Sequence, residues 1–164
     1  LLTLVNNISL EIVGGESKER VEELKHLISD LKVENRVIFH GFQATDRVKE
    51  ILQNKAKITI IPNTKSVQNM FSMPIKLYEY MATSNIVIAA DMDTIKEIIV
   101  DGENGFLFES GNVESLKVTL EKVLLLSNEK LQEISKKAYE ASKEFSWEKR
   151  AHKIVGFCSE VLND

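Results

Sequence analysis

Short, unbroken apolar runs separated by amphipathic stretches set the strongest limit on how this chain folds. Ile8 to Val13, Arg36 to His40, Ile58 to Ile61, Ile86 to Ala90 and Phe106 to Phe108 each read as a strand. Between the first two lies Ser17 to Leu31, with Val21, Leu24, Leu27, Ile28 and Leu31 at helical spacing. Asp46 to Lys55, with Val48, Ile51 and Leu52 inward, and Pro74 to Thr83 read as further helices. Thr94-Ile95-Lys96-Glu97 has the form of a capping box opening another. A polar loop is expected from Asn63 to Asn69, and turns at Asp101-Gly102 and Asn104-Gly105. From Val113 the chain reads as helical to its end, broken near Ser127-Asn128 and Ser146. Strands alternating with helices predict an α/β fold with a parallel sheet covered on both faces. Continuous apolar strands suit that burial. The expectation is one doubly wound, Rossmann-like domain over residues 1–164.

Bulk properties narrow the function classes. The 164 residues suffice for one domain with a full core. A formal net charge of -4 argues against a nucleic-acid partner. The lone cysteine, Cys158, has no partner for an internal disulfide and fits a reducing compartment, so a cytoplasmic location is expected. Cys158 itself reads as a small core residue. No apolar run approaches the roughly 18 residues of a spanning helix, and no secretory signal is visible. The histidines, His26, His40 and His152, are scattered without ligand spacing, so no metal is expected.

In doubly wound sheets ligands bind beyond the carboxyl ends of the strands. The loops to search are Gly14-Gly15, Gly41 to Thr45, Pro62 to Pro74 and Asp91 to Asp93. The third leads into the helix that starts near Pro74. Its first amides lack intrahelical partners, and the dipole is positive there, which suits a diphosphate. Ser72 is placed to cap this helix or to donate a hydroxyl to a phosphate. Glu79 lies about 7.5 Å further along the axis, one sugar ring from a phosphate at the helix start. Its two oxygens can accept from both hydroxyls of a ribose. Leu77, Met81, Tyr78, Ala82 and Ile75 span one apolar arc with Glu79 just past its edge. On helix position alone, a rim glutamate paired with Lys76 is the commoner meaning.

The stretch Pro74-Ile75-Lys76-Leu77-Tyr78-Glu79-Tyr80-Met81-Ala82 resembles the nucleotide-binding helix of GT-B-fold retaining glycosyltransferases of family four, the group 1 type. Its setting does too. Leu10-Glu11-Ile12-Val13-Gly14-Gly15-Glu16 resembles the first-strand turn, and Val37-Ile38-Phe39-His40-Gly41-Phe42 the next strand and loop. Ile86 to Asp91, Glu97-Ile98-Ile99 and Asp101 to Phe108 resemble the later core, and Phe145-Ser146-Trp147-Glu148 the aromatic step into the last helix.

The resemblance implies a set of roles. Glu79 holds the ribose of a UDP- or GDP-linked sugar donor. The amides of Ile75 and Lys76 meet the diphosphate, with Ser72 and Pro74 at the helix start. Gly41, Phe42 and Gln43 lie beside the base, and Gly14 belongs to the first-strand turn. No metal or other cofactor is implied, and no catalytic residue is assignable within this chain. Trp147 is expected to pack where the last helix turns back on the sheet. Two departures stand out. Phe71 occupies the position, eight residues before Glu79, where the family often has a second glutamate touching the sugar. Sugar recognition then falls to Asn69, Ser72 or backbone amides. The family's basic Arg/Lys pair precedes the segment matching Leu1 to Val5, and the chain opens without methionine. The chain is therefore expected to be the carboxyl-terminal half of a two-domain enzyme, inactive alone, whose acceptor domain is its partner. Peripheral membrane association of that parent stays open.

Alternatives weigh less. A receiver-like signalling module needs aspartates where Gly14-Gly15-Glu16 and Pro62-Asn63 stand. A dinucleotide-dependent oxidoreductase needs a Gly-x-Gly-x-x-Gly turn that Gly14-Gly15 does not supply. A non-catalytic GT-B relative remains open because of Phe71.

Overall fold

The computed structural model describes residues 8–15 and 17–163. The segment matched above at Leu1 to Val5, and Glu16, lie outside the described residues. The chain divides after Ala56 into two compact units.

The first unit pairs β1 (Leu10–Val13) with β2 (Val37–Gly41) in parallel. Helix α1 (Lys18–Asp30) joins them, capped at Ser17, whose side chain accepts from the Arg20 amide. Helix α2 (Thr45–Asn54) follows β2 and buries Ile51 and Leu52. The α1 stripe is less covered than its spacing implies: Val21 and Ile28 are half-buried, while Leu24, Leu27 and Leu31 are exposed.

The second unit holds a parallel sheet in the order β3-β4-β5, with β3 at Ile58–Ile61, β4 at Ile86–Ala90 and β5 at Phe106–Phe108. These three strands fall where the apolar runs place them. All five residues of β4 are buried, as a central strand without a solvent face requires. Helices α4 (Ile75–Ala82), α6 (Val113–Leu124) and α7 (Asn128–Ser142) contact this sheet, and α4 also packs on α7. Leu77 and Met81 of α4 join Ile88, Ile95, Phe106, Val123 and Ile134 in one core. Each such side chain contributes roughly 1.5–3 kcal/mol by leaving water.

Several local expectations need correction. The loop after β3 contains a short helix, α3 (Val67–Phe71). Ser66 caps it by accepting from the Asn69 amide at 3.1 Å. Val67, Met70 and Phe71 stand at helical spacing, a signal too short to override the polar loop around it, and none of the helix's residues is buried. Helix α5 (Asp93–Lys96) has Met92 at its N-cap, two residues before the Thr94 of the capping-box reading, and no side chain caps it. Thr94 therefore sits inside the first turn, where its hydroxyl is free to donate to the Ser72 carbonyl at 3.4 Å.

The turn before β5 is built as expected, around Gly102, whose φ of 76° favours glycine. Buried Asn104 staples it, accepting from the Val100 amide and donating to the Ile98 carbonyl. The last helix, α8 (Trp147–Asn163), follows the break at Ser146. Trp147 is 79% exposed, with Arg150 over its ring at 5.4 Å, so it does not pack into a core. Cys158 is exposed on the same helix, not buried. The aromatic of this step that does pack is Phe145, which lies 5.0 Å from the Tyr78 ring of α4.

Candidate functional site

The expected binding residues fall into two groups, one in each unit. In the first unit they gather where β1 and β2 end. Gly14 and Gly41 both have left-handed backbones, with φ of 109° and 64°. The Gly14 amide donates to the Gly41 carbonyl at 2.8 Å, so the two turns are tied together. A Cβ at either glycine meets open space, so backbone conformation alone favours glycine there. Phe42 is 89% exposed. Gln43 donates its side-chain amide to the His40 carbonyl, which holds it against the end of β2.

In the second unit the group is Ser72, Pro74, Ile75, Lys76 and Glu79, at and after the start of α4. Pro74 is the N-cap, in extended conformation, and no side chain caps the helix. Ser72 therefore does not cap α4, contrary to one of its two expected roles. It ends α3 instead, in extended backbone, with its carbonyl taking the Thr94 hydroxyl. Thr94 was not anticipated as a support for this loop, because its sequence context marks it only as a helix starter. Pro74 accepts from the Leu77 amide at 2.9 Å. The amides of Ile75 and Lys76, which precede any intrahelical acceptor, are left without partners among the described residues.

The apolar arc of α4 is narrower than its sequence implies. Leu77 and Met81 are fully buried, but Ile75 is 69% exposed. Glu79 is four positions on from Ile75, so the two share the uncovered face. The Glu79 carboxylate makes no hydrogen bond or ion pair among the described residues, and the expected contact with Lys76 does not form. Its charge is felt next door: burial first, and the Glu79 carboxylate second, push the Tyr80 phenol above its ordinary range. Asn69 is occupied locally, donating to the Thr64 carbonyl at 2.8 Å. Phe71 is 82% exposed.

The histidines stand apart. His40 pairs across the sheet with Glu11 at 2.6 Å, His152 meets the Glu148 carbonyl at 2.8 Å, and His26 is exposed on α1. No helix among the described residues is long and apolar enough to cross a membrane.

The sequence pattern described as glycosyl transferases group 1 matches residues 1–141. The chain belongs to this family. The uncharacterized glycosyltransferase MJ1178 of Methanocaldococcus jannaschii is 34% identical over 128 residues, covering 72% of this chain and 34% of that protein. Among solved structures, HepE of Anabaena in complex with UDP superposes with a TM-score of 0.82 at 23% identity, over 97% of this chain and 43% of HepE. A glycosyltransferase of Rickettsia africae gives 0.83 at 21% identity, over 99% and 43%. At these identities the likeness shows the fold, which is that of GT-B glycosyltransferases. The group 1 chain described here thus spans less than half the length of these relatives.

Proposed function

We propose that the chain is the donor-binding domain, over residues 1–164, of a retaining glycosyltransferase that moves a hexosyl group from a UDP- or GDP-sugar without a metal. One observation carries the reading: α4 opens with two unpartnered amides, and Glu79 stands free on the same helix. The amides of Ile75 and Lys76, with the Lys76 ammonium, hold the diphosphate. As the sugar–phosphate bond breaks, negative charge grows on that diphosphate. Fixed amide dipoles stabilise it without having to reorganise. Glu79 grips the ribose and sets the register of the donor along the helix. Ser72 and Pro74 shape the loop ahead of the phosphates. HepE was solved with UDP and with UDP-glucose, which supports the UDP alternative. The chain spans 43% of HepE, and in this reading the acceptor domain lies in the remaining length, so turnover is expected of the parent protein. A cytoplasmic location fits the single thiol.

Calorimetric titration with UDP and with GDP, each with and without EDTA, tests this. Binding is expected for one nucleotide and unchanged by the chelator. Binding that requires a divalent metal overturns the mechanism. Exposed Phe71, standing where an acid would touch the sugar, favours a second reading as a non-catalytic relative. A donor that binds the parent protein but is never turned over across a panel of acceptors would select it.

A further inference from the structure

At the turn between α7 and α8 a recess of about 150 Å³ opens beside α4, lined by Tyr78, Glu144, Phe145, Arg150 and Lys153. None of the residues proposed to hold a nucleotide lines it. The recess is small against the roughly 300–1,000 Å³ of a pocket for a whole drug-sized ligand. It has room for one compact group, with the rest of any larger ligand left in solvent.

Its apolar floor is the Tyr78 ring against Phe145, with centroids 5.0 Å apart. Its free polar groups are donors. Arg150 is steadied by the Trp147 ring, 5.4 Å from its guanidinium carbon. Among the described residues, the side chains of Arg150 and Lys153 make no hydrogen bond or ion pair, and the Tyr78 hydroxyl makes no hydrogen bond. The one acid in the lining, Glu144, is paired with Lys149. Two cations are thus left uncompensated beside a hydroxyl. Burial pushes the Tyr78 phenol above its ordinary value, so at neutral pH it stays a donor; the Arg150 charge pulls the other way, and Glu97 adds to the rise.

Such a lining selects an anion. A neutral polyol would leave both cations without a counter-charge. A carboxylate brings one charge and two oxygens. A phosphoryl group brings close to two charges at neutral pH and three oxygens. Two cations and a hydroxyl match the second set, and the guanidinium fork suits phosphoryl oxygens in bidentate fashion.

We propose that this recess binds the phosphoryl group of a small phosphate, with Arg150 and Lys153 holding its charge and the Tyr78 hydroxyl donating to a further oxygen. The ligand is either inorganic phosphate or a phosphate monoester whose remaining part projects from the recess. This site goes beyond the donor-binding reading and stands without it.

NMR of the full chain, with the Trp147 indole and labelled tyrosine rings as reporters, tests it. The probes are inorganic phosphate, glucose 1-phosphate, acetate and chloride at one ionic strength. Phosphate or glucose 1-phosphate is expected to move the Trp147 and Tyr78 signals saturably, with acetate and chloride at least about tenfold weaker. Arg150→Gln and Lys153→Gln should each weaken the better ligand about tenfold, as loss of a charge-assisted hydrogen bond implies. Tyr78→Phe, which keeps the ring on Phe145, should weaken it roughly threefold to tenfold. The methyl of buried Met81 reports the fold in each variant. Tighter binding of glucose 1-phosphate than of phosphate assigns the site to a monoester, and equal or weaker binding assigns it to the free ion. Silence of both reporters, an equal response to acetate or chloride, or affinity unchanged in both Arg150→Gln and Lys153→Gln overturns the proposal. A UDP response at the Met73 methyl would then leave the nucleotide reading standing.

Discussion

Replacing Glu79 with glutamine keeps its size and removes its charge. Two structural facts set the expected magnitude. The carboxylate has no side-chain partner among the described residues, so nothing in the fold is broken by the change. It also lies in the last turn of α4, which ends at Ala82, where a negative charge opposes the helix dipole. Relieving that opposition is worth about 0.3–1 kcal/mol. Glu79→Gln should therefore leave stability unchanged or raise it by up to about 1 kcal/mol. Affinity should move the other way. A hydrogen bond to a charged group contributes about 1.5–3 kcal/mol, which is roughly tenfold to a hundredfold in binding. Glutamine keeps one carbonyl acceptor, so a loss near tenfold is expected, with Glu79→Ala closer to a hundredfold. Urea denaturation and nucleotide calorimetry on the same preparations measure both. A variant that loses more than about 2 kcal/mol of stability while binding nucleotide as before would refute the argument. It would show that the acid serves the fold and not the ligand.

Two further outcomes follow from backbone and burial. Gly41→Ala places a side chain at a φ of 64° with open space around it, so it should cost about 1 kcal/mol through backbone strain alone; no loss on denaturation would mean the turn relaxes freely. Tyr80 has its phenol raised above the ordinary value of 10.0, chiefly by burial. The folded state therefore holds that proton more tightly than the unfolded one. This stability is complete below pH about 10 and is lost as pH rises through the folded value. Tyr80→Phe should flatten the alkaline decline seen by urea denaturation, and Glu79→Gln should lower the phenol's titration midpoint. A midpoint that ignores Glu79 would contradict the placement of the two groups.

The five strand positions and the breaks between the last helices follow from apolar runs and turn residues alone. Ile58–Ile61, Ile86–Ala90 and Phe106–Phe108 need nothing else, because a strand buried on both faces writes its burial into consecutive residues. The candidate anion site was legible for a similar reason. A proline and an amphipathic run mark where a helix begins, and every helix begins with unpaired amides.

Coverage, by contrast, is a property of what packs against a face, and that is contributed by distant parts of the chain. Periodicity made Ile75 part of an apolar arc, but the neighbours of α4 bury Leu77 and Met81 and half-cover Tyr78 while leaving Ile75 out. Ile75 and Glu79 are left on an open side, and the pairing of Glu79 with Lys76 does not form. Trp147 and Cys158 read as interior by residue type, yet both stand exposed on α8. Local sequence thus determined where the strands and the longer helices lie, though not the short helix α3 or the start of α5. Tertiary packing decided which faces stay free for a ligand, because side chains distant in sequence supply the cover.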